Sequence, residues 1–467
     1  MLQEISYMIV IINNHIKKLL SIVVLGLLLS GNAYANISAF NKWLYDNGHY
    51  ELVEKIENEK CKSFDKGDAS GNWHYYSCDK PFYKNKSEIY RYPSRYWIPE
   101  NNPKPKPNYI TLVYEFYRYS WSSKPKVDKI SVKKSEKPYE FKCNITKNKY
   151  DKHIEKELNQ SGLLSYLYFE NGEIKIDKIS PKNRFGKFLK DDTMFKSHSV
   201  GKSMVSYVMG HAICEGYIES VDSKVNDWPI LENTLYHDQK LINLLNFRAG
   251  DQKYVWDYFF INPQFFKNNE DRNIETLLNY EFENSKKSKQ MFNYSSFLAS
   301  LIFNYIVFKT ETDQNFEDLL NKIFRDKVKI EHEFFFRKVG GAKLQGHADN
   351  RFYATRYDYL RIAKAILDDW QNDTCVGKYL KTIFDRKEKK GNQRDPKNLP
   401  YARSYAAMFQ ANYKFIPKER PVMGMGGYGG QHVVIDFENS RIVVANSIHP
   451  NWDDKKIVYE LIRKGID

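Results

Sequence analysis

Residues 164–177 have the sequence LSYLYFENGEIKID, in which two strand-like runs stand on either side of Asn171-Gly172. The first run is largely apolar, and the second alternates apolar with charged residues. Asn-Gly between two such runs is a strong signal for a two-residue hairpin turn. We therefore expect an antiparallel β-hairpin here.

Helical periodicity begins soon after this hairpin, between Lys202 and Tyr217. Apolar residues follow the spacing of one helical face, namely Val205, Val208, Met209, Ala212 and Ile213. Gly216 stands near the end of the pattern, where a helix commonly stops. The sequence predicts a helix across this segment.

The C-terminal part returns to strand-like sequence at residues 433–436 and 442–445, followed by a helical stretch at 453–463. Residues 220–330 are mainly helical in period, and a further helix is expected over 354–366. Strands at both ends with helices between them indicate one sheet whose ends meet, with a helical insertion. We predict an α/β (α+β) fold, in which an antiparallel sheet is flanked by helices and carries a helical subdomain.

The N-terminus has the pattern of a secretory signal peptide. Lys17 and Lys18 precede a short apolar run, and small residues follow up to Ala35. A basic patch, an apolar stretch and an A-x-A site together define such a peptide. We expect residues 1–35 to be removed near Ala35, which predicts a periplasmic or secreted protein. An uncleaved membrane anchor is the alternative, although the apolar run is short for a span.

Residues 36–155 differ in composition from the domain expected at 160–467. They contain closely spaced prolines and many aromatic residues. Residues 109–114 (YITLVY) and 129–132 (KISV) have the β-branched and aromatic content of strands. We predict a small N-terminal accessory domain that is mainly β.

The cysteines all lie after the expected signal peptide, at Cys61, Cys78, Cys143, Cys214 and Cys375. An exported protein meets an oxidising compartment, where disulfides persist. Cys61 and Cys78 are close enough in sequence to staple a loop. Cys214 and Cys375 are either a second pair or two buried thiols. Five is an odd number, so at least one thiol is free or joined to another chain.

The formal net charge is +14, from 72 Lys and Arg against 58 Asp and Glu. Such a charge suits nucleic acid, but the basic residues are dispersed, which argues against a nucleic-acid partner. Two interpretations of the charge stay open. One is association with anionic polymers or lipid headgroups of the cell envelope, and the other is a compositional bias toward lysine.

Candidate chemistry lies in Ser199-Val200-Gly201-Lys202. If Ser199 opens the expected helix, Lys202 lies on the same face one turn later and points at its hydroxyl. A serine hydroxyl becomes a nucleophile when a base takes its proton, and a neutral lysine is such a base. The N-terminus of a helix also favours an oxyanion. A phosphate-binding loop is excluded because Lys196 stands where that motif needs glycine.

Further motifs follow this one in order, at residues 222–229 (DSKVNDWP), 244–250 (LLNFRAG), 292–296 (FNYSS) and 425–431 (MGGYGGQ). Together with Ser199 and Lys202 they resemble the β-lactamase-related serine hydrolases. This group includes class C β-lactamases, D-alanyl-D-alanine carboxypeptidases, esterases and 6-aminohexanoate-dimer hydrolases. The resemblance runs from about residue 164 to the C-terminus. It implies a β-lactamase/transpeptidase-like fold and an acyl-enzyme mechanism that uses no cofactor.

The resemblance implies roles for particular residues. Its S-x-x-K motif matches Ser199 and Lys202, which would be the nucleophile and its base. Its Y-x-N or Y-x-S motif matches Tyr294 and Ser296, so Tyr294 would relay a proton to the leaving group. Its third motif, on an edge strand, matches Met425-Gly426-Gly427.

The third motif carries two further implications. The backbone N–H of Tyr428, the next residue, would form an oxyanion hole with the N–H of Ser199. The family has Lys or His where this chain has Met425, and a β-lactam or a D-alanyl terminus needs that cation. Contacts from Ser296, Met425 and Gly427 would then suit a small or peptide-like ester or amide that is neutral.

Simpler explanations exist for each of these residues. Ser199 could cap a helix, since serine is a preferred N-cap residue, and Tyr294 could be a core aromatic. We interpret His198 and His432 as structural. His332-Glu333 lacks the second histidine of a zinc-protease helix, so no metal site is expected.

Two other functions use the same fold. One is a penicillin-binding or peptidoglycan peptidase-like protein, which covalent labelling by a fluorescent penicillin would reveal. The other is a non-catalytic binding protein, which a serine-directed probe would leave unlabelled at Ser199.

Overall fold

The computed structural model describes residues 39–58, 62–68, 71–77, 109–119, 129–255, 274–338, 348–390 and 402–466. The expected signal peptide, its cleavage near Ala35, and both Cys61 and Cys78 lie outside these residues. The chain forms two compact units, Met1–Cys61 and Lys62–Asp467, whereas the sequence suggested a boundary near residue 155. No helix in the described ranges is long and apolar enough to cross a membrane.

The first unit contains helices α1 (Ala39–Asp46) and α2 (Tyr50–Asn58). Each helix buries two apolar residues spaced four apart, on α1 Phe40 and Leu44 and on α2 Leu52 and Ile56. That spacing places each pair on one helical face, so the two helices are amphipathic.

The second unit holds the remaining elements. Its helices are α3 (Tyr109–Tyr119), α4 (Asp151–Gln160), α5 (Val200–Cys214), α6 (Leu241–Leu245), α7 (Ile274–Phe282), α8 (Ser296–Lys309), α9 (Asp313–Asn321), α10 (Arg356–Gln371), α11 (Cys375–Asp385) and α12 (Leu461–Lys464). Short 3-10 turns occur at Phe185–Phe188 and Pro229–Leu231, and π-helical turns at Lys322–Val328 and Lys455–Glu460.

The strands of the second unit are β1 (Lys62–Asp68), β2 (Gly71–Ser77), β3 (Lys129–Val132), β4 (Lys142–Cys143), β5 (Leu163–Glu170), β6 (Glu173–Ile179), β7 (Phe195–Lys196), β8 (Lys224–Val225), β9 (Gln239–Lys240), β10 (Phe334–Lys338), β11 (Ala348–Ala354), β12 (Glu388–Lys389), β13 (Ala402–Ala406), β14 (Phe409–Tyr413), β15 (Val422–Gly427), β16 (Gln431–Asp436) and β17 (Arg441–Ser447). Within the described ranges the main sheet has the order β12-β13-β14-β15-β16-β17-β5-β6-β4. Its neighbours are antiparallel, except that β4 is parallel to β6.

The hairpin that opens this sheet is confirmed. Strands β5 and β6 pair antiparallel around Asn171 and Gly172, both of which have positive φ angles of 50° and 87°. This is the backbone that a two-residue hairpin turn requires, and Asn-Gly adopts it at little cost. The C-terminal strand β17 then pairs with β5, so the two ends of the sheet meet as predicted.

One face of the sheet is covered by α4 and the C-terminal helical turns. Tyr166 and Tyr168 of β5 and Val434 and Val443 of the neighbouring strands form the core there. Helices α5 and α10 also pack against strands of this sheet. The expected α/β class, with a sheet flanked by helices, is confirmed.

The strand expected at 109–114 is wrong, because these residues belong to helix α3. Its buried residues Ile110, Val113 and Phe116 recur every three positions, which is helical spacing. Phe116 packs against Phe185, with ring centroids 6.3 Å apart. A six-residue window of β-branched and aromatic residues was too short to reveal this period.

The strand expected at 129–132 is confirmed as β3, but its partner is distant in sequence. It pairs with β10 in a smaller sheet of order β3-β10-β11-β7. The chain from residue 129 onward is therefore hydrogen-bonded into the sheets of the second unit.

A disulfide joins Cys214 at the end of α5 to Cys375 at the start of α11. This result decides between the two alternatives left open for this pair. Cys143 is a free, exposed cysteine.

Candidate active site

Helix α5 is the central element of the site. Its residues from Val200 through Ala212 are buried on every face, Lys202 included. A helix that is buried on every face lies inside a protein, and α5 contacts α8, α11, β11 and β15. The start of α5 is therefore held in place by the surrounding core.

The predicted nucleophile and base meet at this helix start. The Lys202 Nζ donates a hydrogen bond to the Ser199 Oγ over 3.0 Å. The Lys202 side chain is only 2% exposed, whereas Ser199 is partly buried. A buried amine in hydrogen-bond contact with a more accessible hydroxyl is the geometry that proton abstraction requires.

Ser199 is the N-cap residue of α5, but its hydroxyl makes no capping hydrogen bond. It has helical backbone angles, φ −71° and ψ −10°, instead of the extended ones usual at a capping serine. These angles and the missing hydrogen bond argue against a capping role for Ser199. The hydroxyl is directed to Lys202 instead.

The segment before Ser199 is fixed by the smaller sheet. The backbone N–H of Phe352 donates to the Ser197 Oγ over 2.8 Å, and the Ser197 N–H donates to the Phe352 carbonyl over 2.8 Å. His198 has a positive φ of 48°, which is uncommon for a residue with a side chain. This turn carries the chain from β7 directly into α5.

Tyr294 completes the predicted trio. The Lys202 Nζ lies 4.6 Å from the centroid of its ring. The ring centroid is 5.0 Å from that of Phe247 and 5.8 Å from that of Tyr405. Ser199, Lys202 and Tyr294 are thus brought together from two segments almost a hundred residues apart.

The loop that carries Tyr294 is anchored by its neighbour Asn293. The Asn293 side chain donates to Asp251 over 2.8 Å and to the Val255 carbonyl over 2.9 Å. Burial raises the pKa of the Asp251 carboxyl, while hydrogen bonds from Asn293 and Tyr236 oppose that shift. Ser295 then caps α8 by accepting a hydrogen bond from the Leu298 N–H.

Ser296 lies at the first position of α8, two residues after Tyr294, and is partly buried. The motif at 244–250 connects neighbouring segments through the side chain of Asn246. Asn246 donates to the Arg386 carbonyl over 3.1 Å and accepts from the Ala407 N–H over 2.7 Å. It thereby ties this loop to the β13–β14 hairpin.

The glycine-rich end of β15 runs beside the start of α5. A Cβ atom on Gly427 would lie 2.8 Å from the Ser197 carbonyl oxygen, so only glycine permits this approach. The next residue, Tyr428, places its ring 5.5 Å from the ring of His198. Gln431 donates from its side chain to the Lys196 carbonyl and holds the same two segments together.

The third motif lies on an interior strand, not the edge strand that the resemblance implied. Strand β15 is between β14 and β16, but pairing with β14 ends at Gly424 in the described chain. Met425 through Gly427 pair with β16 alone. Met425 is 1% exposed, so an uncharged thioether is buried at the position where the resemblance implied a cation.

His432 and His211 are surrounded by other side chains of the protein. His432 contacts Tyr459 at 3.3 Å and Asp454 at 3.4 Å. Burial lowers the pKa of His211 in α5 to about 3. No cluster of three His, Cys, Asp or Glu residues suited to a metal occurs in the described part of the chain.

Two residues near Tyr294 were not anticipated, Tyr405 and Lys390. Tyr405 of β13 packs against Phe247, Phe292 and Tyr294. The Lys390 Nζ lies 4.7 Å from the centroid of the Tyr405 ring. Both are distant from every motif in sequence, so no local signal indicated them.

No family model and no curated protein sequence matches this chain. Solved structures are similar to it. A Bacillus anthracis protein assigned as a 6-aminohexanoate-dimer hydrolase has a TM-score of 0.54 at 12% identity, covering 75% of this chain and 92% of that one. A class C β-lactamase from Rhodobacter sphaeroides has a TM-score of 0.47 at 15% identity, covering 67% and 97%. At such identities the similarity concerns the fold, and this chain has the β-lactamase-related serine hydrolase fold, as the motifs suggested.

Proposed function

We propose that this protein is an exported serine hydrolase that cleaves an ester or amide through an acyl-enzyme on Ser199. The observation that carries the proposal is the 3.0 Å hydrogen bond from Lys202 to a Ser199 hydroxyl that caps no helix. The name given to the Bacillus anthracis neighbour, a 6-aminohexanoate-dimer hydrolase, supports hydrolysis as the reaction class. The position of Tyr294 beside Lys202 supports a shared proton path.

The mechanism follows from these positions. Lys202, assisted by Tyr294, takes the proton of the Ser199 hydroxyl as its oxygen attacks the carbonyl carbon. The backbone N–H groups of Ser199 and Tyr428 stabilise the oxyanion of the tetrahedral intermediate. Tyr294 gives the proton to the leaving group as the bond to it breaks. A water molecule, deprotonated by the same residues, then releases the acyl group and restores Ser199.

Export rests on two independent features. The N-terminal sequence has the order of a signal peptide. The disulfide between Cys214 and Cys375 is typical of a protein that folds in an oxidising compartment. Removal of residues 1–35, which contain Lys17, Lys18 and Glu4, would lower the net charge from +14 to +13, and this charge would favour contact with anionic surfaces in the envelope.

The buried Met425 disfavours β-lactams and D-alanyl termini, because their carboxylate would meet no cation at the third motif. We therefore expect hydrolysis of simple esters or amides, little turnover of nitrocefin, and no stable labelling by penicillin. Rapid penicillin labelling of Ser199 would favour a peptidoglycan peptidase instead.

The test is a panel of p-nitrophenyl esters, D-amino-acid amides and nitrocefin, assayed with wild type and Ser199→Ala. We expect Ser199→Ala to lose at least about 10³-fold in kcat/KM, since the acyl-enzyme cannot form. Ser203→Ala is the matched control, because Ser203 lies on the same helix and its hydroxyl donates to the Met408 carbonyl. Equal activity of wild type and Ser199→Ala on every substrate would refute the proposal.

A further inference from the structure

The loop that carries Tyr294 has no regular structure of its own. Residues 285–294 lie between helices α7 and α8 and belong to neither a helix nor a strand. A side chain on such a loop is held less precisely than one on a helix or strand, unless other contacts fix the loop. The place of Tyr294 beside Lys202 therefore depends on the hydrogen bonds that this loop makes.

The segment 248–255 supplies hydrogen bonds to the main chain of the loop. The Arg248 side chain donates to the Gln290 carbonyl over 3.1 Å. The Gln252 side chain donates to the Lys289 carbonyl over 2.8 Å. These two bonds fix the path of the loop as far as Gln290.

Asn293 makes the last links before Tyr294. Its backbone N–H donates to the Phe247 carbonyl over 2.7 Å. Its side-chain amide donates to the Asp251 Oδ1 over 2.8 Å and to the Val255 carbonyl over 2.9 Å. The residue directly before the tyrosine is therefore tied to one neighbouring segment through both its backbone and its side chain.

Asp251 is a costly acceptor for this link. Its side chain is 0% exposed, and it forms no ion pair within the described residues. Its Oδ2 accepts a hydrogen bond from the Tyr236 hydroxyl over 3.0 Å. Burial raises the pKa of the carboxyl although both hydrogen bonds oppose the shift, so they offset the cost of burial only in part. Groups that cost stability in this way are expected mainly at functional sites.

We propose that Asp251 is a positioning residue for the reaction, which holds Asn293 and thereby sets the place of the Tyr294 hydroxyl. This role rests on the proposed function, in which Tyr294 transfers the proton to the leaving group. Asp251 acts through Asn293 and not on the reacting atoms. A catalytic group displaced by about 1 Å loses roughly 10²-fold in rate, so a hydrogen bond at the adjacent residue is sufficient to control the reaction.

The first test breaks the link from each side. Asp251→Leu and Asn293→Leu are each expected to reduce kcat for a p-nitrophenyl ester by roughly 10²-fold, with KM within about threefold of wild type, because proton transfer is affected and binding is not. The double variant should fall no further than the lower single variant, since both changes break the same link. Effects that multiply would overturn the proposal.

Tyr236→Phe is the matched control, because it removes the other hydrogen bond of the same buried carboxyl and leaves the link to Asn293 intact. We expect it to lower the free energy of unfolding, as Asp251→Leu does, but to keep kcat within about threefold of wild type. An equal loss of kcat in Tyr236→Phe would assign the effect to general destabilisation and overturn the positioning role. Should Asp251→Leu not fold, Asn293→Leu and this control carry the test.

Asp251→Asn separates the hydrogen bond from the charge. The asparagine oxygen can still accept from Asn293, and its amide can donate to the Tyr236 oxygen. We therefore expect kcat within about fivefold of wild type. A loss as large as that of Asp251→Leu would show that the charge matters and the link does not, which contradicts a positioning role.

Failure of the proposed function gives a different result. If wild type hydrolyses no ester, hydrogen exchange of the peptide spanning residues 289–297 still tests the link without turnover. Exchange at Asn293 should be at least about tenfold faster in Asp251→Leu and unchanged in Tyr236→Phe. Equal exchange in wild type and Asp251→Leu would refute the link. An Asp251→Leu enzyme with wild-type kcat would refute the positioning role and leave the proposed function standing.

Discussion

The two ends of helix α5 differ in what their side chains do. In the middle of the helix the Tyr207 hydroxyl donates to Asp369 over 2.8 Å and Ser206 bonds the Tyr379 hydroxyl over 2.8 Å, and at the C-terminal end Cys214 is joined to Cys375. At the N-terminal end, the Ser199 hydroxyl makes no capping hydrogen bond and accepts one from Lys202. The middle and C-terminal end are fixed in the core, whereas the N-terminal end holds the proposed nucleophile and base.

This difference predicts that changes at the two ends affect different quantities. Substitutions at the Ser199 end should reduce the reaction rate and leave the free energy of unfolding nearly unchanged. Substitutions at the Cys214 end should reduce the free energy of unfolding and leave the rate of the folded protein nearly unchanged.

The largest effect is expected for Lys202→Met. We expect kcat/KM for a p-nitrophenyl ester to fall by about 10³-fold, because loss of a general base typically costs 10²–10⁴-fold. The melting temperature should stay the same or rise, since an apolar side chain replaces a buried amine. Lys152→Met, at an exposed position, is the control and should retain full activity. A Lys202→Met enzyme within tenfold of wild type would remove Lys202 from the mechanism.

The next effect concerns the disulfide. Replacing both Cys214 and Cys375 by serine should lower the free energy of unfolding by about 3 kcal/mol, because the bond closes a long loop of the unfolded chain. Urea unfolding measures this change, and kcat/KM at 25 °C should stay within about twofold of wild type. Cys143→Ser, which changes an exposed free cysteine, should alter neither quantity. Loss of activity in a folded double variant would contradict the division between the two ends.

A smaller effect is expected from His211 in acid. Its pKa is about 3 in the fold, below the ordinary value of 6.5, first because of burial and second because of the charge on Lys327. As the pH falls below 6.5, His211 is protonated in the unfolded chain but stays neutral in the folded chain. Its contribution to the free energy of unfolding is therefore complete above pH 6.5 and is lost as the pH falls toward 3. Between pH 7 and pH 5 the loss should be about 2 kcal/mol.

The matched variant for this effect is His211→Gln, which cannot titrate. The difference in unfolding free energy between wild type and His211→Gln should shift by about 2 kcal/mol over the same pH interval. If the two proteins lose stability in parallel, His211 does not carry the acid sensitivity of this end of the helix.

Local sequence was sufficient for the elements whose signals are local. Asn171-Gly172 specified its hairpin, and the apolar spacing after Lys202 specified α5. The strand prediction at 109–114 was wrong because β-branched and aromatic residues also occur in helices. The helical period of the apolar residues is visible only over the full length of α3. The pairing of β3 with β10 joins residues about two hundred positions apart, which no local pattern encodes.

The residues of the candidate site also fall into those with a local sequence signal and those without one. Ser199, Lys202 and Tyr294 belong to motifs with recognisable spacing, and the structure brings them together. Lys390 and Tyr405 belong to none, and their position depends on how β12 and β13 extend the sheet past β14. Local spacing therefore indicated the candidate nucleophile and base, whereas it carried no signal for Tyr405 and Lys390.

The central claim is that the hydroxyl of Ser199 is the nucleophile, and peptide mapping after labelling tests it most directly. Wild type treated with a fluorophosphonate should gain one adduct mass, located on the peptide that contains Ser199. Lys202→Met should acquire that adduct at least about 10²-fold more slowly, because its serine lacks the base. An adduct on another residue, or a wild-type protein that stays unlabelled under conditions that label a known serine hydrolase, would contradict the claim.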